Sequence, residues 1–309
     1  MANIITLSVV ALCLCAMVHC WGKDGHIITG NLAQEYLSDK AQEMVQDILS
    51  KYEGPDGARF KQLGPLAPYA DVLRESYPWA VTYHFINVEK DQKGFVPKIN
   101  CPNLHCLFGA INNYTKIMLD KDSSDFSKGT ALMFLTHFFG DLHQPLHVAH
   151  KSDKGGNDIK LKLNEDWFTR YKSSNLHHIW DSDMLYQFQR VEEKPNTTHV
   201  VDYIKNNLVN KQALDKYGKV DDLIAVSDES LNLSLKVAYK RALDLDLENF
   251  PISYYDSVIP TVLNQVMAGG LRLSAWLNYI ADEANAGAEN HNCVICNVLG
   301  RMMSRLNVL

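Results

Sequence analysis

The chain lacks the glycine-rich fingerprints of nucleotide-binding proteins: neither a GxGxxG run nor a P-loop occurs in its 309 residues, so no nucleotide-cofactor reading is supported. It also lacks a basic excess. Thirty Lys and Arg against 36 Asp and Glu give a formal net charge of −6, whereas a protein that grips long polyanions by their backbone charge is ordinarily basic. Any contact with nucleic acid must then be local and rest on bound cations. No internal repeat, low-complexity tract or long linker divides the chain.

No Asp, Glu, Lys or Arg precedes Lys23, and Ile4 to Val18 is an apolar run ending in Val18, His19 and Cys20. Such a run is shorter than the ~20 residues of a membrane span and reads as a signal peptide over residues 1–20. A later apolar stretch, Val258 to Leu277, is interrupted by Asn264, Gln265 and Arg272, so a soluble protein without membrane attachment is expected. Cysteine is sparse. Of seven, Cys13, Cys15 and Cys20 leave with the leader, and the remainder form two close pairs, Cys101 with Cys106 and Cys293 with Cys296, as suits an oxidising secretory route. The second pair is read as a disulfide, with a redox pair or a metal site including His291 as alternatives. Sequons at Asn113, Asn196 and Asn232 fit a secreted glycoprotein.

Helical periodicity dominates what is present. Apolar spacing of three and four predicts helices over 27–37 and 41–49, with Ser38 capping the second, and further helices over 105–119, 130–140, 177–188, 200–209, 221–245 and 253–284. Strand alternation is confined to Ile159, Leu161 and Leu163 against Lys160 and Lys162, after Gly155-Gly156, with a second extended piece over 81–88. The class is all-α, one helical domain over 21–284 with a small β-hairpin; residues 285–309 read as a tail.

Two segments concentrate metal-capable groups. HFFGDLHQPLH places His137, Asp141 and His147 among apolar neighbours, and NLHHIWD places His177 and Asp181 four apart, hence on one helix face. A buried, unpaired Asp141 is costly, and a cation removes that cost. Pro145 ends the helix before His147, which can therefore address a different ion. Imidazole with carboxylate suits zinc. His143, His150 and His178 fall on other faces and read as supporting or surface residues; His105, His199 and His291 read as bystanders.

At these residues the chain resembles the S1/P1 nuclease family. The motif Hx3Dx5H at His137, Asp141 and His147, the NLHxxWD run ending at Asp181, and Gly155-Gly156-Asn157 match it directly. Trp21, first after the expected cleavage, is followed five residues later by His26, and Asp71 in APYADVLR and His84-Phe85 in YHFINV stand where the family has Asp and His-Phe. Near Asp71 the chain departs from the pattern, with Tyr69 in place of Trp. The resemblance implies a fold of the P1 nuclease and zinc phospholipase C type and three zinc ions: one on Asp71, His84, His137 and Asp141, one on the Trp21 amine and carbonyl, His26 and a shared Asp141, and one on His147, His177 and Asp181. It also implies a disulfide between Cys101 and Cys106, and a secreted, vacuolar or lysosomal endonuclease acting on single-stranded DNA and RNA, with no stable protein partner.

Zinc lowers the pKa of a bound water from ~15.7 towards ~7, so in-line hydrolysis of a phosphodiester to a 5′-phosphate, with some 3′-nucleotidase activity, is the expected chemistry. Asp71 and Asp141 are the expected catalytic carboxylates, Arg74 a catalytic phosphate contact, and Phe85 a stacking surface for an unpaired base. Two rivals differ in class. Zinc-dependent phospholipase C shares the helical frame but has Glu where this chain has Asp181 and a longer gap from Trp to the first His; a non-catalytic zinc-binding protein would have closed coordination.

Overall fold

The computed structural model describes residues 21–74, 77–168 and 172–285. The expected signal peptide, most of the expected tail and Cys293 with Cys296 lie outside them. Eight helices of eight residues or more are present among the described residues: α1 (Lys23–Glu35), α2 (Asp39–Lys51), α3 (Leu107–Leu119), α4 (Asp125–His143), α5 (Met184–Val191), α6 (Thr197–Asn207), α7 (Leu223–Leu233) and α8 (Ser253–Asn285). Helix α1 packs on α8 and α4, and α3 lies along α4. The chain is all-α, as the sequence predicts, with two minimal sheets, and none of the described helices is long and apolar enough to cross a membrane.

Capping explains most boundaries. Ser38 Oγ accepts from Ala41 N and starts α2 as expected. Helix α4 begins at Asp125, ahead of the predicted residue 130, because Ser124 Oγ caps it through Ser127 N at 3.1 Å; the polar first turn hides the start from apolar periodicity. Asn210 similarly caps a helix over Lys211–Tyr217 that the sequence pattern did not reveal. The predicted rod over 221–245 is interrupted by a π-helical stretch, Ser234–Tyr239, and the segment 177–188 by another, Ile179–Asp183.

The strands are shorter than alternation implies and one pairing was not foreseen. Lys160–Lys162 (β3) pairs antiparallel with Ser173–Asn175 (β4), giving the expected hairpin. The extended piece at 81–88 is largely a 3₁₀ turn over Pro78–His84, and only Ile86–Val88 (β1) is strand, lying parallel to Val148–His150 (β2). This pairing sets Ile86 beside Val148, so His84 and His147 end two distant segments side by side. Cys101 and Cys106 form a disulfide that staples the loop after β1.

The interior has two apolar clusters. One gathers α2, α3 and most of α4 with the end of α8; the other gathers Trp21, Trp180, Leu146, α5, α6 and the earlier part of α8. Phe138 and Leu142 belong to the first, Trp21 and Leu146 to the second, so the histidine-bearing end of α4 runs along the seam between them.

That end is anchored from α8. His143, expected to be supporting or superficial, is fully buried; its Nδ1–H donates to Phe139 O at 2.7 Å and its Nε2 accepts from Arg272 at 2.9 Å. Burial first, then the guanidinium, push its pKa down to about 3, which keeps it a neutral acceptor. Arg272 also reaches Asp221 at 2.9 Å and Glu229 at 2.6 Å and lies 4.8 Å over the Tyr217 ring. Arg272→Leu is therefore expected to cost about 3 kcal/mol, the lower end for breaking a buried ion pair, since Asp221 and Glu229 keep some solvent contact. Urea unfolding of the two proteins at equal metal loading measures it.

Candidate metal centre

One carboxylate organises the site. Asp141 is fully buried on α4; its Oδ2 lies 3.1 Å from both His84 Nδ1 and His137 Nε2, and its Oδ1 lies 3.4 Å from His26 Nε2 and 3.3 Å from His147 Nδ1. The two oxygens thus face different imidazoles. Asp71, from the short helix Tyr69–Arg74, brings Oδ1 to 3.8 Å from both His84 and His137. His147 Nε2 and His177 Nε2 meet Asp181 at 3.6 and 3.2 Å. Three groups have donor atoms within 4.8 Å of one another: His26 with Asp71 and His137, His84 with His137 and Asp141, and His147 with His177 and Asp181.

The ring orientations are set by backbone carbonyls. His137 Nδ1 donates to Ala67 O at 2.9 Å, His147 Nδ1 to His84 O at 2.9 Å and His177 Nδ1 to Gly155 O at 2.7 Å. A proton committed to Nδ1 leaves Nε2 as a lone-pair acceptor. In each case that lone pair faces a carboxylate oxygen, so acceptor meets acceptor and a proton or a metal ion must sit between them. His26 Nε2, Asp71 Oδ1, Asp141 Oδ1, His147 Nε2 and Asp181 Oδ2 are all buried without a hydrogen bond, an arrangement that is costly unless a cation satisfies it. The donor set fits a metal: imidazole nitrogen and carboxylate oxygen are borderline ligands of the zinc type.

The protonation pattern has the same cause. Burial opposes the Asp141 charge, yet His137 and His147 hold its carboxyl well below the usual range. His147 is held up at about 10; burial works against its charge, and Asp141 and Asp181 outweigh it. Asp181 is pushed up to about 7 by burial, and His26 down to about 4 by burial and then by His137, whose ring it stacks on at 3.7 Å. His147 and Asp181, 3.6 Å apart, are thus both shifted upward, one by the carboxylates it faces and the other by burial.

Local sequence explains the convergence. Gly140 precedes Asp141, and a Cβ there would sit 2.7 Å from His26 Nδ1, so the glycine admits α1 to the α4 surface. The side chain of Trp21 is fully buried, and Gly22 N donates to Asp181 O at 2.6 Å, tying the segment before α1 to the third group. Gly155 has φ +64°, and a Cβ on it would lie 2.4 Å from Leu146 O; this turn delivers the carbonyl that orients His177. Asp181 sits in the π-helical stretch, a distortion common at functional sites.

Gln144 is a residue that the sequence reading passed over. Fully buried, it donates to Asp181 Oδ1 at 2.5 Å and accepts from Leu146 N at 2.6 Å, so it links the end of α4 to the third group. The one signal was an amide in an otherwise apolar and histidine-bearing run. Arg74 lies 3.5 Å from Asp71 Oδ1 with its side chain 12% exposed, at the edge of the cluster. Phe85 belongs to neither apolar core; it lines a cleft of about 290 Å³ whose wall includes His147, His177, Leu146 and Lys151.

Comparison with known proteins agrees with this geometry. The family model described as S1/P1 Nuclease matches residues 21–282. Endonuclease 2 of Arabidopsis thaliana is 33% identical over 85% of this chain and 91% of its own length, and Endonuclease 1 of the same plant 30% over 92% and 94%. Nuclease P1 of Penicillium citrinum is 29% identical over 84% of this chain and 97% of its own.

Because Asp141 faces two sets of imidazoles, Asp141→Asn is expected to lower metal content by more than Asp181→Asn, which touches one group. Elemental analysis of both variants after dialysis against one free zinc concentration checks this; equal losses would remove Asp141 from its bridging place.

Proposed function

The chain belongs to the S1/P1 nuclease family, and from that premise we propose that it is a secreted, zinc-dependent endonuclease hydrolysing single-stranded DNA and RNA to 5′-phosphorylated products, with 3′-nucleotidase activity alongside. The observation that carries the reading is the joining of three His/Asp groups through Asp141 beside a cleft lined by Phe85. Three zinc ions would be held by Asp71, His84, His137 and Asp141, by the Trp21 amine and carbonyl with His26 and Asp141, and by His147, His177 and Asp181. Bound zinc would supply Lewis acidity towards phosphate oxygen and lower the pKa of water.

The chain's own residues would do the rest. Asp141, rigid and buried, fixes the spacing of the groups it touches, and Gln144 holds the Asp181 carboxylate in orientation. Arg74, beside Asp71, would contact a phosphate oxygen of the substrate. Phe85 would stack an unpaired base in the cleft, which a duplex keeps out of reach because its bases already stack on one another. Residues 1–20 would be removed as a signal peptide, since the Trp21 amine must be free to act as ligand. Glycosylation is proposed at Asn113, Asn196 and Asn232. Asn113 is exposed on α3, whereas Asn196 caps α6 and Asn232 Nδ2 donates to Asp228 O at 2.8 Å.

Assays of zinc-loaded protein on single-stranded DNA, duplex DNA, RNA and phosphatidylcholine test the whole reading; turnover of the phospholipid alone would replace it with a phospholipase, and turnover of none with a binding protein. Within it, one residue added before Trp21 should abolish nearly all activity by blocking the amine, and active protein whose N-terminus sequences to any other residue would contradict this. Phe85→Ala should lower kcat/KM on single strands about ten- to a hundredfold, the equivalent of ~1–3 kcal/mol of stacking, with Tm nearly unchanged. A large Tm drop with normal kinetics would assign Phe85 to packing instead.

A further inference from the structure

Phe85 lines two cavities. Besides the cleft against His147 and His177, it lines a second cavity of about 180 Å³, together with Asn87, Ile99, Pro102, His105 and Lys151. Phe85, Asn87 and Lys151 are common to both, so the two cavities adjoin and these residues form the ridge they share. Strand alternation builds that ridge. Ile86 and Val88 point into the core, which turns Phe85, Asn87 and Glu89 to the other face, and all three line the second cavity.

The far wall is held in place by covalent and hydrogen bonds and is mixed in character, with Ile99 and Pro102 beside Asn100 and His105. The disulfide between Cys101 and Cys106 closes the loop that carries Pro102 and His105. Asn100 holds the loop to the strand: its Nδ2 donates to Asn87 O at 3.0 Å, and its Oδ1 accepts from Val96 N at 2.8 Å. On this wall Ile99 is 63% exposed, and the exposed His105 ring lies 6.1 Å from that of Tyr83. Lys151 stands where the two cavities meet. It has Glu89 4.0 Å away, both side chains being about two-thirds exposed, and an exposed pair of this kind is weak enough to yield to a phosphate.

We propose that the second cavity is a subsite for the neighbouring nucleotide of a single strand whose other base occupies the cleft beside His147 and His177. Phe85 then stands between two successive bases, with Lys151 on the phosphate joining them and His105 and Ile99 against the outer base. This rests on the nuclease reading and adds a length dependence to it, because a substrate with one base fills one cavity and a longer strand fills both. None of the residues lining the second cavity belongs to the metal groups.

The test is a length series on the zinc-loaded mature protein: thymidine 3′-(4-nitrophenyl phosphate), which carries one base, and then oligothymidylates from two to five residues, each with wild type, His105→Ala, Ile99→Glu and His105→Trp. Binding of the same oligomers to Asp141→Asn, followed by fluorescence anisotropy, gives a readout independent of turnover. The proposal expects wild-type kcat/KM to step up once both cavities are filled. It expects His105→Ala and Ile99→Glu to lose about tenfold in rate and in affinity on those longer substrates, from the lower end of base–aromatic stacking, with the one-base substrate unaffected and His105→Trp restoring the loss. Equal effects at every length, or no effect at any, would overturn the subsite while leaving the nuclease intact. A wild type inert on the whole series would overturn the nuclease reading and the subsite together.

Discussion

A buried carboxylate between two apolar cores sets the terms for this molecule. Asp141 is fully buried, and an ionised carboxylate in such a place is tolerated only when partnered and hydrogen-bonded. Four imidazoles from α1, α4, the turn before β1 and the turn before β2 surround it at 3.1–3.4 Å. Bringing those four segments together requires that α1 cross α4 at Gly140, that β1 and β2 pair in parallel, and that α4 stop at His143. The fold around the site can thus be understood as the set of packings that make one charge bearable.

The carbonyls of Ala67, His84 and Gly155 extend this logic outward. Each accepts an imidazole proton, and each comes from a segment with no other metal-capable role there except His84, which contributes its own ring. Because the Nδ1 atoms are committed, the Nε2 lone pairs are aimed before any ion arrives, and little is lost in reorganising the rings on binding. Gln144 does the same for a carboxylate. These residues carry the geometry without belonging to any ligand motif.

That division explains what was legible in the sequence. His137, Asp141, His147, His177 and Asp181 could be read because metal ligation demands particular side chains at particular spacings, whereas Trp21, His26, Asp71 and His84 were marked only by the family resemblance; the structure brings the His and Asp side chains among them together. Helices were legible through apolar period, and the start of α2 through its Ser38 cap, whereas the caps at Ser124, Asn196 and Asn210 went unread. What escaped was chemistry that the backbone supplies or that depends on distant partners. The β1–β2 pairing joins residues about sixty positions apart and spans three residues on each strand, too few to show alternation. The burial of His143 depends on Arg272, from a helix far along the chain, and the carbonyls that orient the rings leave no mark on residue type.

Acidity of the whole chain and affinity for a polyanion are compatible in this architecture. Non-specific grip on a nucleic-acid backbone usually comes from many lysine and arginine contacts that release counterions. Here few basic groups adjoin the groove: Arg74 at the cluster edge, and Lys151 and Lys154 along the cleft. With so few, lysine and arginine contacts cannot be the main source of binding. On the proposed reading the cleft instead offers the Phe85 ring with apolar neighbours such as Val81 and Leu146, which would engage bases through faces that exist in every sequence and are exposed only when the strand is single. A preference for unpaired strands, as proposed above, would then follow from the scarcity of basic residues as much as from the shape of the cleft, because a duplex presents little except its charge to a surface that is poor in positive charge.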